Sequence, residues 1–467
     1  MSNISTQYSP INEDIQKVLT STLGSDKVIF EHMMTDDERA FYSADASELR
    51  HTPEGVLYPT NTEEVAEVMR LASTYNFPII PRGGGTGLAG GCLAREGGLI
   101  LSLEKMTDIS IDATNMVAKA QAGAITQTLR DAAAEHGLFY APDPAGMDKS
   151  TIGGNVATNA GGPCCVKYGT TKDFVLGLTA VLPDGEIIHT GVATRKGVVG
   201  YDMTSLITGC EGTLAIITEL TVKLIPLPQA VSTLAVVFED LHNAMEAVSS
   251  ILTGGVLPSA LEFMDHKCLN LVADLVPYDL PEGKPAMLII ETDGALEQTK
   301  LEIESIAAIC KKHNALHLIP ALSDEERQKV WAMRRPVSLR IHDAAGLYMS
   351  EDIAVPIGSI AHLVSRLPEY EETYDLIIYA FGHCGDGNIH LNFTASTKEH
   401  AEAMLQAIIK LLKEVLSLNG TISGEHGIGE AKMEFLPMEI QQRNILLQQG
   451  IKTVFDPKNI LNPAKLF

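Results

Sequence analysis

Basic residues are scarce in this chain: 35 Lys and Arg stand against 59 Asp and Glu, a net charge of -24 at pH 7. Such a field repels phosphate backbones and anionic lipid surfaces, which argues against a nucleic-acid partner. It also sets a demand, because an anionic substrate must then be met by positive charge gathered locally, on Arg, Lys, a metal or helix N-termini. Long apolar runs are missing too. No stretch reaches about 18 uninterrupted apolar residues, and the opening MSNISTQYSPINEDIQKVLT has no basic segment leading into an apolar one. Neither secretion nor a membrane span is expected, and a cytoplasmic location is. Cysteines are few and scattered, seven in all at 92, 164, 165, 210, 268, 310 and 384, with no C-x-x-C pair. That set supplies neither a disulfide framework nor an iron-sulfur site, and it suits a reducing compartment. No repeat of about 20–50 residues is present.

What is there is an ordinary globular composition, 45% hydrophobic and 20% charged, in a chain of 467 residues. That length exceeds what one hydrophobic core supports, so two or three domains are expected. Residues 1–50 read as an N-terminal helical segment. The stretch GVLYPTNTEEVAEVMRLASTYNFPIIPRGGG reads as a strand, a helix capped at Thr62 with Val65, Val68, Met69 and Ala72 on one stripe, and a second strand. A glycine-rich region follows, with LILSL, MVAKAQAG and VLGLTAVLPDGEIIHTG as apolar runs between turns. Pro226 and Pro228 mark a boundary, which closes one domain at 51–228 and opens another over 229–467. The second domain alternates strands and helices as an α+β sheet domain. Within it, 399–418 carries Met404, Ile408, Leu411, Leu412 and Val415 on one helical stripe, and 437–455 reads as a final helix before the tail FDPKNILNPAKLF.

The segment PRGGGTGLAGG at 81–91 contains G-x-G-x-x-G, the pattern of a dinucleotide-binding crossover. The helix that such a site needs is absent: only Cys92 to Glu96 separate Gly91 from Gly97-Gly98 and the next strand, too few for a parallel crossover. An NAD site is therefore disfavoured, yet consecutive glycines still let backbone N–H groups converge on a phosphate. A second glycine-rich stretch, PDPAGMDKSTIGGNVATNAGGPCCVKYG, strengthens that reading.

With GCEGTLAIITELTVKL, these segments make the chain resemble the FAD-binding domain of the vanillyl-alcohol oxidase and p-cresol methylhydroxylase superfamily. Together with the C-terminal motifs below, they resemble its FAD-linked D-2-hydroxyacid dehydrogenases, a branch that includes D-lactate dehydrogenases, the glycolate oxidase flavin subunit and D-2-hydroxyglutarate dehydrogenase. The fold implied is α+β: a two-subdomain FAD-binding domain of the p-cresol methylhydroxylase type, plus an α+β cap domain with an antiparallel sheet and C-terminal helices. The resemblance implies that Pro81, Arg82, Gly83, Gly84, Gly85, Thr86 and Gly87 bind the FAD pyrophosphate. It implies that Pro144, Gly146, Ser150, Thr151, Gly153, Gly154, Asn155, Ala157 and Thr158 line the cofactor, and that Glu211, Gly212, Ile216 and Ile217 complete the adenosine side. Relatives that bind flavin covalently use a His in the first glycine loop; GGGTGLAGG has none, so a non-covalent FAD is expected. Cys164 and Cys165 read as small hydrophobes.

The C-terminal chemistry begins in YAFGHCGDGNIHLNF. A strand over GNIHLNF puts Asn388, His390 and Asn392 on one face, and His383 can turn toward His390, offering two imidazoles to a divalent cation. In ISGEHGIGEAK, glycines flank Glu425 and His426, whose side chains diverge in an extended turn. The resemblance implies His383, His390 and Glu425 as metal ligands and His426 as catalytic base, with Asn392 beside them; Zn, Fe and Mn all suit such ligands. It also aligns Arg334 with a substrate-carboxylate arginine, whose planar fork matches a carboxylate, and reads Arg335 and Arg340 as a solvated helix face. Ser350 stands where a hydroxyglutarate enzyme is expected to carry Lys, which argues against a dicarboxylate substrate. The mechanism implied is oxidation of a D-2-hydroxy acid, D-lactate first and glycolate or D-2-hydroxyglutarate as alternatives. No electron-accepting group beyond the flavin is encoded, so a separate carrier such as an electron-transferring flavoprotein is implied. Two other classes fit the same residues: a metal-dependent hydrolase, and a non-catalytic flavin-binding subunit.

Overall fold

The computed structural model describes residues 8–277 and 280–467. The first seven residues of the N-terminal segment lie outside the described part. The chain divides into two compact units that interleave in sequence: one takes Met1–Ala160, Thr170–Leu227 and His426–Phe467, the other Gly161–Gly169 and Pro228–Glu425.

In the first unit, a four-stranded sheet runs in the order Val28–Phe30, Gly55–Leu57, Leu99–Ser102, Ile79–Arg82. The last three strands are mutually parallel, and the helix Thr62–Tyr75 joins Gly55–Leu57 to Ile79–Arg82. That helix is capped by the Asn61 side chain, which accepts from Glu64 N, so the cap lies one residue before the expected Thr62. Thr62 is instead buried and donates to Thr218 Oγ1 at 3.0 Å. A second, antiparallel sheet has the order Ile109–Asp112, Val117–Gln121, Ile216–Lys223, Val175–Val181, Ile187–Gly191.

The two units divide between Leu227 and Pro228, within one residue of the boundary read from the sequence, whereas packing joins the residues before 50 and the C-terminal tail to the first unit. Ile15, Leu19 and Leu23 of the helix Glu13–Leu23 share one core with Val65, Met69, Leu99 and Leu101, so residues before 50 are no separate segment. Ile460 and Leu461 belong to that same core, and Ile79 N donates to Ile460 O at 2.8 Å while Asn462 N donates to Ile79 O at 2.8 Å. The tail thus extends the first sheet, which is why His426–Phe467 leaves the C-terminal domain. The expected final helix over 437–455 is broken into Leu436–Glu439 and Gln442–Phe455, because Ile440 takes an extended conformation.

The second unit is built on a seven-stranded, wholly antiparallel sheet. Its order is Ala315–Ala321, Ala230–Phe238, Ala286–Gly294, Ala260–Met264, Ile377–His383, Asn388–Ala395, Leu347–Ala354. Ala235, Val237, Met287 and Ile289 pack against Val330, Met333, Val337 and Ile341 from the helices Asp324–Arg334 and Val337–Ala344. The helix Ala401–Ser417 buries Met404, Ile408, Leu411, Leu412 and Val415, the stripe read from the sequence.

Candidate functional site

In the first unit the two glycine-rich stretches meet. A Cβ on Gly83 would lie 2.2 Å from Thr151 Oγ1, and one on Gly84 would lie 2.4 Å from Lys149 O. Gly85 has φ +65, and a Cβ there would lie 2.1 Å from Arg82 Nη2. These positions admit only glycine. By contrast, nothing stands within 4 Å of a Cβ on Gly87, and only Thr86 approaches one on Gly146. The result is a cradle with a close-packed floor at Gly83–Gly85 and room at Gly87 and Gly146. No helix intervenes between Arg82 and the strand starting at Leu99, as a dinucleotide crossover would need, but the two strands are parallel neighbours all the same, so the connection expected to be too short for a parallel crossover makes one as a loop alone.

The expected cofactor residues divide by what they do. Arg82 is buried beneath its own loop, donating to Phe41 O and Cys92 Sγ, with its guanidinium over the Phe41 ring. Thr151 caps the short helix Ile152–Thr158, Thr158 donates back to Gly154 O, and Asn155 and Ser150 both bond Thr126. These side chains hold the second stretch in shape, and its own amides of Ser150, Ile152, Gly153 and Asn155 donate to backbone carbonyls within the unit. Met147 N donates to Pro144 O. Gly153 packs on Ala122, and Gly212, at φ +68, packs on Pro81. Ile216 lies in the hydrophobic core, Ile217 is buried, and Ala157 O accepts from Glu211 N. Both carboxylate oxygens of Glu211 accept backbone N–H bonds from the loop after His426.

In the second unit, strand register assembles a polar cluster. Glu262 stands directly opposite His383, and His390 is opposite Phe381 on one side and Asp352 on the other. Residues facing each other across antiparallel strands share a face, so residues distant in sequence converge. His383 Nδ1 is held by Glu262 Oε1, and His390 Nδ1 lies 3.6 Å from Asp352 Oδ1. Both Nε2 atoms then point to one oxygen, Glu425 Oε1, at 3.4 and 3.5 Å. Asp352 also accepts from Glu425 N at 2.7 Å and from Asn388 Nδ2 at 2.6 Å, fixing the turn that presents Glu425. That turn needs its glycine, since a Cβ on Gly424 would lie 2.2 Å from Asn388 Nδ2. His426 follows, half-buried, as the first residue of the other unit.

Arg334 ends its helix beside this cluster, its Nε and Nη2 on Glu262 Oε2 at 3.1 and 3.0 Å and its guanidinium 4.3 Å from the Phe381 ring centroid. Arg335 donates to Gln328 on the surface, and Arg340 is not merely solvated, because it pairs with Asp274 and bonds Leu271 O. On the strand after the histidines, Asn392 is 1% exposed: its Oδ1 accepts from Tyr348 OH at 2.7 Å, while its Nδ2 is buried with no hydrogen-bond partner. A buried amide donor left unmet is what a ligand oxygen would satisfy.

The electrostatics follow from burial and partners. Burial alone would raise the carboxyl of Glu262, but His383 and Arg334 outweigh it and hold it down to about 2. Burial would pull the His383 imidazole down, yet Glu262 and Glu425 push it well above its ordinary value. Burial likewise opposes, and the two histidines reverse, the shift of Glu425, which ends lowered. Three carboxylates touch the imidazoles and one guanidinium joins them, so with neutral histidines 3 − 1 leaves two negative charges. A divalent cation would neutralise that set, and each imidazole already has the carboxylate behind it that orients a ligating histidine. The ligating atoms of Asp352, His390 and Glu425 lie within 4.8 Å of one another. Sequence reasoning missed Glu262, Asp352 and Tyr348. Their only signal was an acid inside the apolar run SALEFMD and another before the apolar IAVP, and neither reveals its partner.

Comparison with known proteins adds the following. Residues 227–466 match a family described as FAD linked oxidases, C-terminal domain, and residues 53–191 match one described as FAD binding domain. The chain is 39% identical over 464 residues to the glycolate oxidase subunit GlcD of Bacillus subtilis (strain 168), covering 98% of this chain and 97% of that protein. It is 36% identical over 443 residues to a D-lactate dehydrogenase of Anaerostipes hadrus, covering 92% of each. Among solved structures, p-cresol methylhydroxylase with substrate bound superposes with a TM-score of 0.78 at 17% identity, over 98% of each chain. That last likeness shows a common fold. Among the described residues, no helix is long and apolar enough to cross a membrane.

Proposed function

The chain belongs to the FAD-linked oxidases, and from that premise we propose that it oxidises a short D-2-hydroxy acid, D-lactate first, to the 2-oxo acid and passes the electrons to a separate protein carrier of the electron-transferring flavoprotein kind. The observation that carries this reading is the single buried carboxylate of Glu262, which holds Arg334 and His383 on one site. It brings an anion-binding fork and an imidazole pair together in a chain whose overall charge repels anions.

Glu262 occupies Nε and Nη2 of Arg334, so the outer edge carrying Nη1 is the one that meets the substrate carboxylate. The unmet Nδ2 of Asn392 donates to a substrate oxygen, its orientation set by Tyr348. His426 takes the hydroxyl proton as general base. His383, His390 and Glu425 would hold a divalent metal, Zn, Fe or Mn, whose chemistry there is Lewis acidity at the substrate oxygens. The glycine cradle would hold FAD non-covalently, and the chemistry FAD would supply there is acceptance of the C2 hydrogen as hydride. The hydroxyl proton and that hydride together account for both hydrogens and both electrons lost by the alcohol.

The greater identity to a glycolate oxidase subunit than to a D-lactate dehydrogenase favours glycolate as the second reading. Ser350, paired in register with Asn392, offers no cation for a second carboxylate, which supports a monocarboxylate. Anaerobic titration of the FAD-loaded protein with D-lactate, glycolate and D-2-hydroxyglutarate, followed by flavin absorbance, tests the assignment. Bleaching is expected fastest with D-lactate and slowest with the dicarboxylate, and prior chelation is expected to slow it. A flavin that none of the three acids bleaches sinks the proposal.

A further inference from the structure

Glu211 is a buried acid whose backbone sits at φ +52, a left-handed conformation that few side chains adopt. Its backbone is fixed on both sides: Glu211 N donates to Ala157 O, and Asn462 Nδ2 donates to Glu211 O at 2.8 Å. From there the carboxylate reaches the loop that begins at His426. Oε1 accepts from Ile428 N at 2.8 Å and Oε2 from Gly429 N at 2.7 Å. Gly427, at φ +83, lets the loop come this close, since a Cβ there would lie 2.9 Å from Glu211 Oε1. The far side of the loop is tied as well, because Ala89 O accepts from Glu430 N and Ala431 N, and Leu466 N donates to Gly429 O.

A carboxylate in this place is expensive to bury; among the described residues no Lys or Arg is hydrogen-bonded to it, and Lys465 acts on it through charge alone. Two acceptor oxygens are what the geometry requires. A glutamine of the same shape would offer one acceptor and turn an NH2 group against an N–H. We infer that Glu211 is a positioning residue, gripping the amides of Ile428 and Gly429 so that His426, just upstream, is held where it takes the substrate's hydroxyl proton. This rests on the function proposed above and adds to it a residue that does not touch the reacting atoms. Burial pushes its carboxyl up while the two amide bonds pull it back, which fits a group kept for its acceptors.

The test has two arms. Hydrogen exchange of the FAD-free protein should show faster exchange at Ile428 and Gly429 in Glu211→Gln, with the exchange of neighbouring sheet amides unchanged. In the FAD-loaded protein, Glu211→Gln should slow anaerobic flavin reduction by D-lactate roughly 10- to 100-fold per bound flavin while KM stays within about twofold. The same substitution placed on His426→Asn should bring no further loss, because a residue acting only through His426 has nothing left to position. Glu211→Asp, which keeps two oxygens on a shorter arm, serves if Glu211→Gln does not fold, with a smaller loss in the same direction. Unchanged exchange at the two amides, equal losses with and without His426, or loss of FAD at an undiminished rate per bound flavin would each overturn the positioning role. A wild-type flavin that no hydroxy acid bleaches would instead overturn the functional reading and the positioning role with it, while the exchange arm would still report the grip itself.

Discussion

At the scale of single residues, Glu262 is the one on which most depends. Arg334 and His383 are both oriented by it, so removing its charge leaves a guanidinium and an imidazole without their buried partner. Glu262→Gln is expected to lower kcat/KM by roughly 10- to 100-fold, the loss typical of a group that orients a ligating histidine, as measured by steady-state kinetics. A stability effect follows from the same pair. A carboxyl held down to about 2 contributes stability that is complete above about 4.5 and disappears as pH falls through 2. Urea midpoints followed across that window should therefore fall more steeply in the wild type than in Glu262→Gln. The residues of the site were partly legible beforehand. His383, His390 and Glu425 stood out because glycines flank them and a period of two aligns the strand, whereas Glu262 and Asp352 were invisible because nothing in SALEFMD or SEDIAVP says which strand lies opposite.

At the scale of elements, the loops are set by contacts that allow no side chain. Gly84 faces a backbone carbonyl at Lys149, which cannot swing away as a side chain could. Gly84→Ala should separate the two glycine stretches and yield protein with less bound FAD, read from the ratio of visible to ultraviolet absorbance; full flavin content would contradict the cradle. The strands carry a different lesson. Their existence was plain from apolar runs and turn signals, and so was the helix Ala401–Ser417. Its neighbour over 437–455 was not, because two non-helical residues, Ile440 and Gln441, interrupt an otherwise helical pattern. The tail FDPKNILNPAKLF, read from the sequence as part of the second domain, instead supplies Ile460 and Leu461 to the first core.

At the scale of the molecule, the charge of -24 governs encounters. A carrier of the kind proposed is expected to present basic residues, its approach being steered by opposite charge. Turnover with such a carrier should fall as ionic strength rises, whereas turnover with a neutral dye should hardly change. A carrier rate that ignores salt would argue against steering. The two units interleave in sequence, each taking a segment from the other's side of the chain. Gly161–Gly169 is one such segment: Gly161, in the second unit, stands so close to Glu425 that a Cβ would lie 2.6 Å from its Oε2.

The amino-acid sequence on its own determined most of the elements and the family, and it marked the glycine stretches and the histidines as candidates, because those depend on local spacing and on residue type. The tertiary structure decided which acids stand behind the imidazoles, which hydroxyls cap helices rather than face a ligand, and where the tail belongs. Those are matters of strand order and of packing between segments hundreds of residues apart, and local periodicity holds no information about either.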